Sequence, residues 1–159
     1  PEIPLLLSKS TNLFKLFLSD VGLLASMYVD GLQLKILSRE KDINFGAIYE
    51  NVAAQELKAH GFELYYFNSK KQGELDFVIE YKGNVLPLEI KSGKAYTRHN
   101  ALDNVLKDER YAIPQALVFC NENISTVDKI VYLPIYMIGF LENEKIDEYI
   151  YSIDLSALQ

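Results

Sequence analysis

The stretch Glu74-Leu75-Asp76-Phe77-Val78-Ile79-Glu80-Tyr81-Lys82-Gly83-Asn84-Val85-Leu86-Pro87-Leu88-Glu89-Ile90-Lys91 decides the fold. Two largely apolar runs flank Lys82-Gly83-Asn84, a strong turn signal, so the spacing predicts a β-hairpin. Side chains on a strand alternate with a period of two. Leu75, Phe77, Ile79 and Tyr81 therefore share one face of the first arm, and Glu74, Asp76, Val78 and Glu80 the other. On the return arm Leu86, Leu88 and Ile90 share one face, and Val85, Pro87, Glu89 and Lys91 the other. With the two apolar faces against the core, Asp76, Glu89 and Lys91 fall together on the opposite side.

Turn length sets the register. A two-residue turn at Lys82-Gly83 pairs Asp76 with Glu89; a turn at Gly83-Asn84 pairs Asp76 with Lys91 and leaves Glu89 diagonal. A three-residue turn breaks the arrangement unless a bulge restores it. Directly opposed residues have Cβ atoms about 4.5–5.5 Å apart, so two carboxylates can reach one cation in either two-residue register. Adjacent carboxylates repel and need a shared proton, a cation or a lysine to offset the repulsion. A hard divalent ion such as Mg²⁺ prefers oxygen ligands and keeps several waters. One such water can become the nucleophile on a phosphodiester, with Lys91 orienting it or offsetting charge. The plainer reading is a solvated strand face with a cross-strand Asp–Lys pair.

Outward from the hairpin, residues 45–60 form a helix with the apolar stripe Phe45, Ile48, Tyr49, Val52 and Leu57. Asn44 is its candidate cap, and Gly61 ends it as a C′ glycine does. Glu50 borders that stripe, in line with Ala53, Ala54 and Leu57, whose two small alanines allow close approach to a sheet. It either leans into a site or is an ordinary exposed helix glutamate. Phe14-Lys15-Leu16-Phe17-Leu18 reads as a short strand, and Ser19-Asp20 caps a helix to about Met27. Further strands are expected at 62–67, 116–120 and 130–133. A helix is expected over 100–110, near the site, and another at 135–141 after Pro134. Residues 146–155 are a candidate final strand. The mixed order suggests an α/β or α+β domain.

At 159 residues the chain fits one domain with its own core. No apolar run reaches the roughly 18–20 residues of a membrane span, and residues 1–7 lack a signal-peptide pattern. The single cysteine, Cys120, lies in the apolar run Ala116-Leu117-Val118-Phe119 and reads as a buried thiol in a reducing, cytoplasmic setting. A formal net charge of −6 disfavours nucleic-acid binding by the whole surface but leaves room for a local basic groove. Lys70, Lys71, Lys94, Arg98 and Lys107 are candidates for such a groove, with a solvated charged face as the default. His99 reads as a surface residue, and His60 as a helix-end cation. No Ser-His-Asp arrangement around Ser92 can be defended, and no zinc spacing occurs.

A helix glutamate (Glu50), a strand aspartate (Asp76), then Glu89-Ile90-Lys91 after a short turn resemble the PD-(D/E)xK restriction-endonuclease-like superfamily, in the compact spacing of its Holliday-junction-resolvase-like branch. More narrowly, the chain resembles the uncharacterised C-terminal domain of a group of prokaryotic AAA+-type ATPases. The residues that carry this are Lys15-Leu16-Phe17-Leu18-Ser19-Asp20-Val21-Gly22-Leu23-Leu24, Gly46-Ala47-Ile48-Tyr49-Glu50-Asn51-Val52, Glu74-Leu75-Asp76-Phe77-Val78 and Leu88-Glu89-Ile90-Lys91-Ser92-Gly93. E-x-K alone is common; the ordered set of blocks is the specific part. Leu75 stands where the superfamily name has proline, a common replacement there.

The resemblance implies a restriction-endonuclease-like core with a central mixed β-sheet flanked by helices. It implies Mg²⁺- or Mn²⁺-dependent phosphodiester hydrolysis on DNA, with Glu50, Asp76 and Glu89 as metal ligands and Lys91 as the fourth catalytic residue. Glu74 is a candidate further ligand or a solvent-facing strand-edge residue. The alternative is a non-catalytic DNA-docking or protein-interaction module of the attached ATPase. ATP is expected to bind only an N-terminal P-loop part, because no G-x-x-x-x-G-K-[ST] occurs here. Either that half has been cut away or this is a stand-alone copy; the absent initiator methionine favours the first.

Overall fold

A computed structural model of the chain describes residues 5, 14–27, 34–35, 38 and 45–143. The candidate cap Asn44 and the expected strand at 146–155 lie outside the described residues. The elements that carry the fold are α1 (Val21–Met27), α2 (Gly46–Ala59), β1 (Tyr65–Ser69), β2 (Gly73–Tyr81), β3 (Asn84–Ile90), α3 (Asn100–Lys107), β4 (Ala116–Cys120), β5 (Ser125–Val127) and β6 (Ile130–Pro134). Short 3-10 segments occupy Glu109–Tyr111 and Ile135–Phe140.

The hairpin forms on the first of the two registers, with the turn at Lys82-Gly83. Tyr81 pairs with Asn84, leaving Lys82 and Gly83 as the two turn residues. Both have positive φ, 50° and 72°, as the hairpin turn that matches strand twist requires. Asn84 Nδ2 donates to the Lys82 carbonyl at 3.0 Å and braces the turn. The β2–β3 ladder then runs regularly to Phe77–Leu88.

Strand β2 departs from simple alternation on its other edge. Tyr65 pairs with Val78 but Phe67 with Leu75, so β2 spends three residues where β1 spends two. This β-bulge inserts one extra residue and re-aims the side chains beyond it. Leu75 consequently packs with Val78, not with Phe77 and Ile79 as unbroken alternation predicts.

The sheet order is β1-β2-β3-β4-β6-β5. The β1–β2, β2–β3 and β5–β6 pairs are antiparallel, whereas β3–β4 and β4–β6 are parallel. The architecture is α/β, a central mixed six-stranded sheet flanked by helices. A parallel β3–β4 pair needs a crossover, and α3 supplies it. One apolar layer joins Leu102 and Val105 of α3 to Leu75, Val78, Val85 and Val118. The other joins Ala53, Ala54 and Leu57 of α2 to Phe77, Ile79, Leu86, Leu88 and Ile90. Strand β4 contributes to both layers, is buried along its whole length, and includes Cys120 as a buried free thiol.

The buried face of α2 is Ile48, Asn51, Ala53, Ala54 and Leu57. It is thus rotated from the expected stripe toward the alanines, and Phe45, Tyr49 and Val52 are only half-buried. The helix ends in a Schellman arrangement: Gly61 N–H donates to the Lys58 carbonyl and Phe62 N–H to the Leu57 carbonyl, both at 3.0 Å. Gly61 has φ +82°, and an added Cβ would meet nothing closer than Asn143 Nδ2 at 4.0 Å. Gly61→Ala therefore brings backbone strain without a clash. It is expected to lower stability by about 1–2 kcal/mol, read as a lower urea midpoint at unchanged slope.

Other expectations need correction. Residues 14–18 are not a strand: the Leu18 N–H and carbonyl bond the Asn51 side chain rather than a neighbouring strand. Phe62 is taken into the α2-side core by the helix stop, so β1 starts only at Tyr65. Helix α3 stops at Lys107 because extended Asp108 starts the next turn, its carboxylate accepting the Arg110 N–H. The three-residue edge strand β5 is exposed throughout and carries no apolar alternation to betray it. Among the described residues, no helix is long and apolar enough to cross a membrane.

Candidate functional site

The bulge, the end of β3 and the middle of α2 meet at one end of the sheet. Glu50 comes from the border of the buried face of α2. Glu74 and Asp76 come from β2, on either side of the core residue Leu75. Glu89 and Lys91 come from the end of β3. The two hairpin arms are tied here through Asp76, whose Oδ2 accepts the Ile90 N–H at 2.9 Å.

Three of these carboxylates converge on one ammonium group. Lys15 Nζ lies 2.7 Å from Glu74 Oε1, 3.6 Å from Asp76 Oδ1 and 3.7 Å from Glu50 Oε2. It also lies 5.7 Å from the centre of the Tyr66 ring, a cation–π distance. Burial alone would lower the Lys15 pKa. The hydrogen bond it donates to Glu74 and the charges of Asp76, Glu50 and Glu74 outweigh it, and the pKa rises above the usual lysine value. Glu50 is pushed above the usual carboxylate range, first by burial and then by the charge of Asp76, with Lys15 opposing.

Glu89 sits beside this trio in a pairing of its own. Lys91 Nζ donates to Glu89 Oε1 at 2.6 Å. Glu89 is buried, and its Oε2 has no hydrogen-bond partner. Burial raises its pKa most, the charge of Asp76 adds to that, and the Lys91 hydrogen bond opposes both. An orphaned carboxylate oxygen in a buried site is costly and calls for a specific reason. The shared-face expectation needs amending. Glu89 keeps the parity of Val85 and Pro87, whereas the bulge sends Glu74 and Asp76 to the Lys15–Glu50 group.

The structure thus brings Glu50 and Asp76 to one point and keeps Glu89 next to Asp76 but on Lys91. Glu74 is exposed near the start of β2 and joins the group through its ion pair with Lys15. Lys15 is the member that sequence reasoning missed. Its signal was parity: Lys15 shares a side with Phe17, which is half-buried, whereas Phe14 and Leu16 are exposed. Among the described residues, no group of three or more His, Cys, Asp or Glu side chains is arranged to hold a metal ion. The position on which Glu50, Glu74 and Asp76 converge holds the Lys15 ammonium instead. The donor chemistry nonetheless suits a hard cation: three carboxylates around one point, with the unpartnered Glu89 oxygen among their neighbours.

A family model described as a domain of unknown function (DUF4143) matches residues 45–138. The chain belongs to this family. The matched span of the DUF4143 domain runs from the start of α2 to the 3-10 segment after β6, and so includes Glu50, Glu74, Asp76, Glu89 and Lys91 but not Lys15. No curated protein and no solved structure matches the chain.

The remaining polar candidates of the DUF4143 domain sort by location. Lys70, Lys71, Lys94, Arg98 and Lys107 are all exposed. The first two lie in the β1–β2 turn and the next two in the loop after β3, at the end of the sheet where the carboxylates gather. His99 is not a surface residue. It is buried, with Nε2 2.7 Å from Tyr132 Oη and Nδ1 2.9 Å from Asp103 Oδ1, and so fastens the start of α3 to β6. His60 Nδ1 donates to the Leu141 carbonyl at 2.8 Å, tying the end of α2 to the segment after the last 3-10 turn.

Asn51 organises the approach to the site. Its side chain accepts from the Leu18 N–H at 2.8 Å and donates to the Leu18 carbonyl at 3.1 Å. Asn51→Ala removes both bonds inside a largely buried contact. It is expected to cost about 1–3 kcal/mol, and hydrogen–deuterium exchange should rise selectively at 14–18 over the sheet.

Proposed function

We propose that this DUF4143 domain is a nuclease-like module that hydrolyses phosphodiesters of DNA with a divalent cation, Mg²⁺ or Mn²⁺, and works in the cytosol attached to an AAA+-type ATPase. One observation carries the reading: a helix glutamate and two strand carboxylates converge on a single cationic group, beside an E-x-K pair whose glutamate keeps a buried, unpartnered oxygen. Glu50, Asp76 and Glu89 would hold the ion, with Glu74 as a fourth carboxylate. When bound, the ion would supply a hydroxide-like water and offset charge on the phosphate. Lys91 stands ready at the same edge to orient that water or offset charge. The exposed lysines of the β1–β2 turn, with Lys94 and Arg98, would track the backbone phosphates flanking the scissile bond. These local positive groups compensate for a chain whose formal net charge is −6.

A second reading has its own support. The Lys15 ammonium already neutralises part of the acidic centre, as it would in a non-catalytic module that docks DNA or a protein for the ATPase. Incubation with branched, nicked and linear DNA in Mn²⁺ or Mg²⁺ separates the two. The nuclease reading expects cleavage of at least one substrate, abolished by Glu50→Gln. Intact DNA throughout, despite measurable Mn²⁺ binding, would transfer support to docking.

A further inference from the structure

Lys15 does not reach the acidic centre by chance. The segment 14–18 is clamped at Leu18 by both ends of the Asn51 amide, and just beyond it the Val21 N–H donates to Gln55 Oε1 at 3.0 Å. Phe17 packs against Phe77 with the rings tilted, their centres 5.2 Å apart. Lys15, two positions before the inward Phe17, is inward as well, in the alternating burial of residues 14–17. Phe14 and Leu16 are left exposed on the other side. The arm is thus fastened to α2 on the C-terminal side of Lys15 and delivers an ammonium into carboxylates that repel one another.

We infer that Lys15 is a built-in competitor for the divalent cation, so that the position of the 14–18 arm sets whether the carboxylate centre can be loaded. The inference rests on the proposed cation-dependent reading and deepens it. An ammonium 2.7–3.7 Å from three carboxylates and a divalent ion bound by the same oxygens exclude one another, by space and by charge. Loading the site therefore requires the Lys15 side chain to leave. Any ligand that draws the arm away favours loading; any contact that holds the arm down opposes it, as linked equilibria require.

The test uses Mn²⁺ alone as the probe, titrated by calorimetry into the full chain and three variants. Lys15→Met keeps the length and apolar stem of the side chain without its charge, and Asn51→Ala loosens the arm without touching an acid. Lys15→Arg keeps a cation at the site. Lys15→Met is expected to bind Mn²⁺ at least tenfold more tightly than the wild type and Asn51→Ala severalfold more tightly, with Lys15→Arg near the wild type. Melting curves give the second readout. Without metal, Lys15→Met melts below the wild type, and Mn²⁺ raises its midpoint more than it raises the wild type's. Equal Mn²⁺ affinity in wild type and Lys15→Met overturns the competition while leaving the cation reading intact. Absence of specific Mn²⁺ binding in every form, with cooperative melting retained, overturns both.

Discussion

Phe77→Ala is expected to destabilise the domain by about 3–5 kcal/mol, a large part of the roughly 5–15 kcal/mol that holds a typical domain folded. Phe77 is among the largest fully buried side chains, 1% exposed, in the layer between β2–β3 and α2. Its ring meets Phe17, and its chain neighbour is Asp76. Truncation leaves a cavity that Ala53, Ala54 and Leu57 cannot fill, because two of the three are already small. The loss should appear as a lower midpoint in urea with little change of slope. It should also loosen the 14–18 arm, since the Phe17 contact goes with it. A cost of only about 1 kcal/mol would mean that Phe77 is not held in a close-packed α2 layer.

Asp76→Asn should separate stability from function. The amide oxygen of asparagine can still accept the Ile90 N–H, so the tie between the hairpin arms survives. The charge, however, is gone. Asp76 is a repulsive neighbour for both Glu50 and Glu89 and an attractive one for Lys15. These effects oppose one another, and the net change in stability is expected to stay within about 1 kcal/mol. On the proposed nuclease function, cleavage of DNA is expected to fall at least about 100-fold, as when an interaction required by the transition state is removed. A midpoint matching the wild type together with lost cleavage would place Asp76 in the chemistry and not in the scaffold. Asp76→Ala confounds the two, because it also strands the Ile90 N–H.

The parts of this fold that are legible in sequence are those determined by near neighbours. The Lys82-Gly83 turn, the Gly61 helix stop, the Asp20 cap of α1 and the uniformly apolar β4 each depend on a few consecutive residues. The bulge in β2 is different. It depends on how β1 pairs across the sheet, and no residue between Glu74 and Phe77 marks it. It changes which way Leu75 and Asp76 point, and with that the membership of the site. Lys15 and His99 were hidden for a related reason. Lys15 meets carboxylates 35 to 61 positions later in the chain, and His99 meets Tyr132 33 positions later. Glu50 and Asp76 could be brought together from helix and strand periodicity plus a family resemblance. Their counter-ion could not, because its arm is anchored by an asparagine side chain rather than by a regular element.

On the proposed function, Glu50, Glu74 and Asp76, with Glu89 adjoining, form one centre that exchanges an ammonium for a divalent ion. Calorimetric titration of Mn²⁺ into the wild-type chain and into Asp76→Asn tests it most directly. One saturable site is expected in the wild type and its loss in Asp76→Asn, with both proteins melting cooperatively. Identical titrations for the two proteins, whether both bind or neither does, would contradict it.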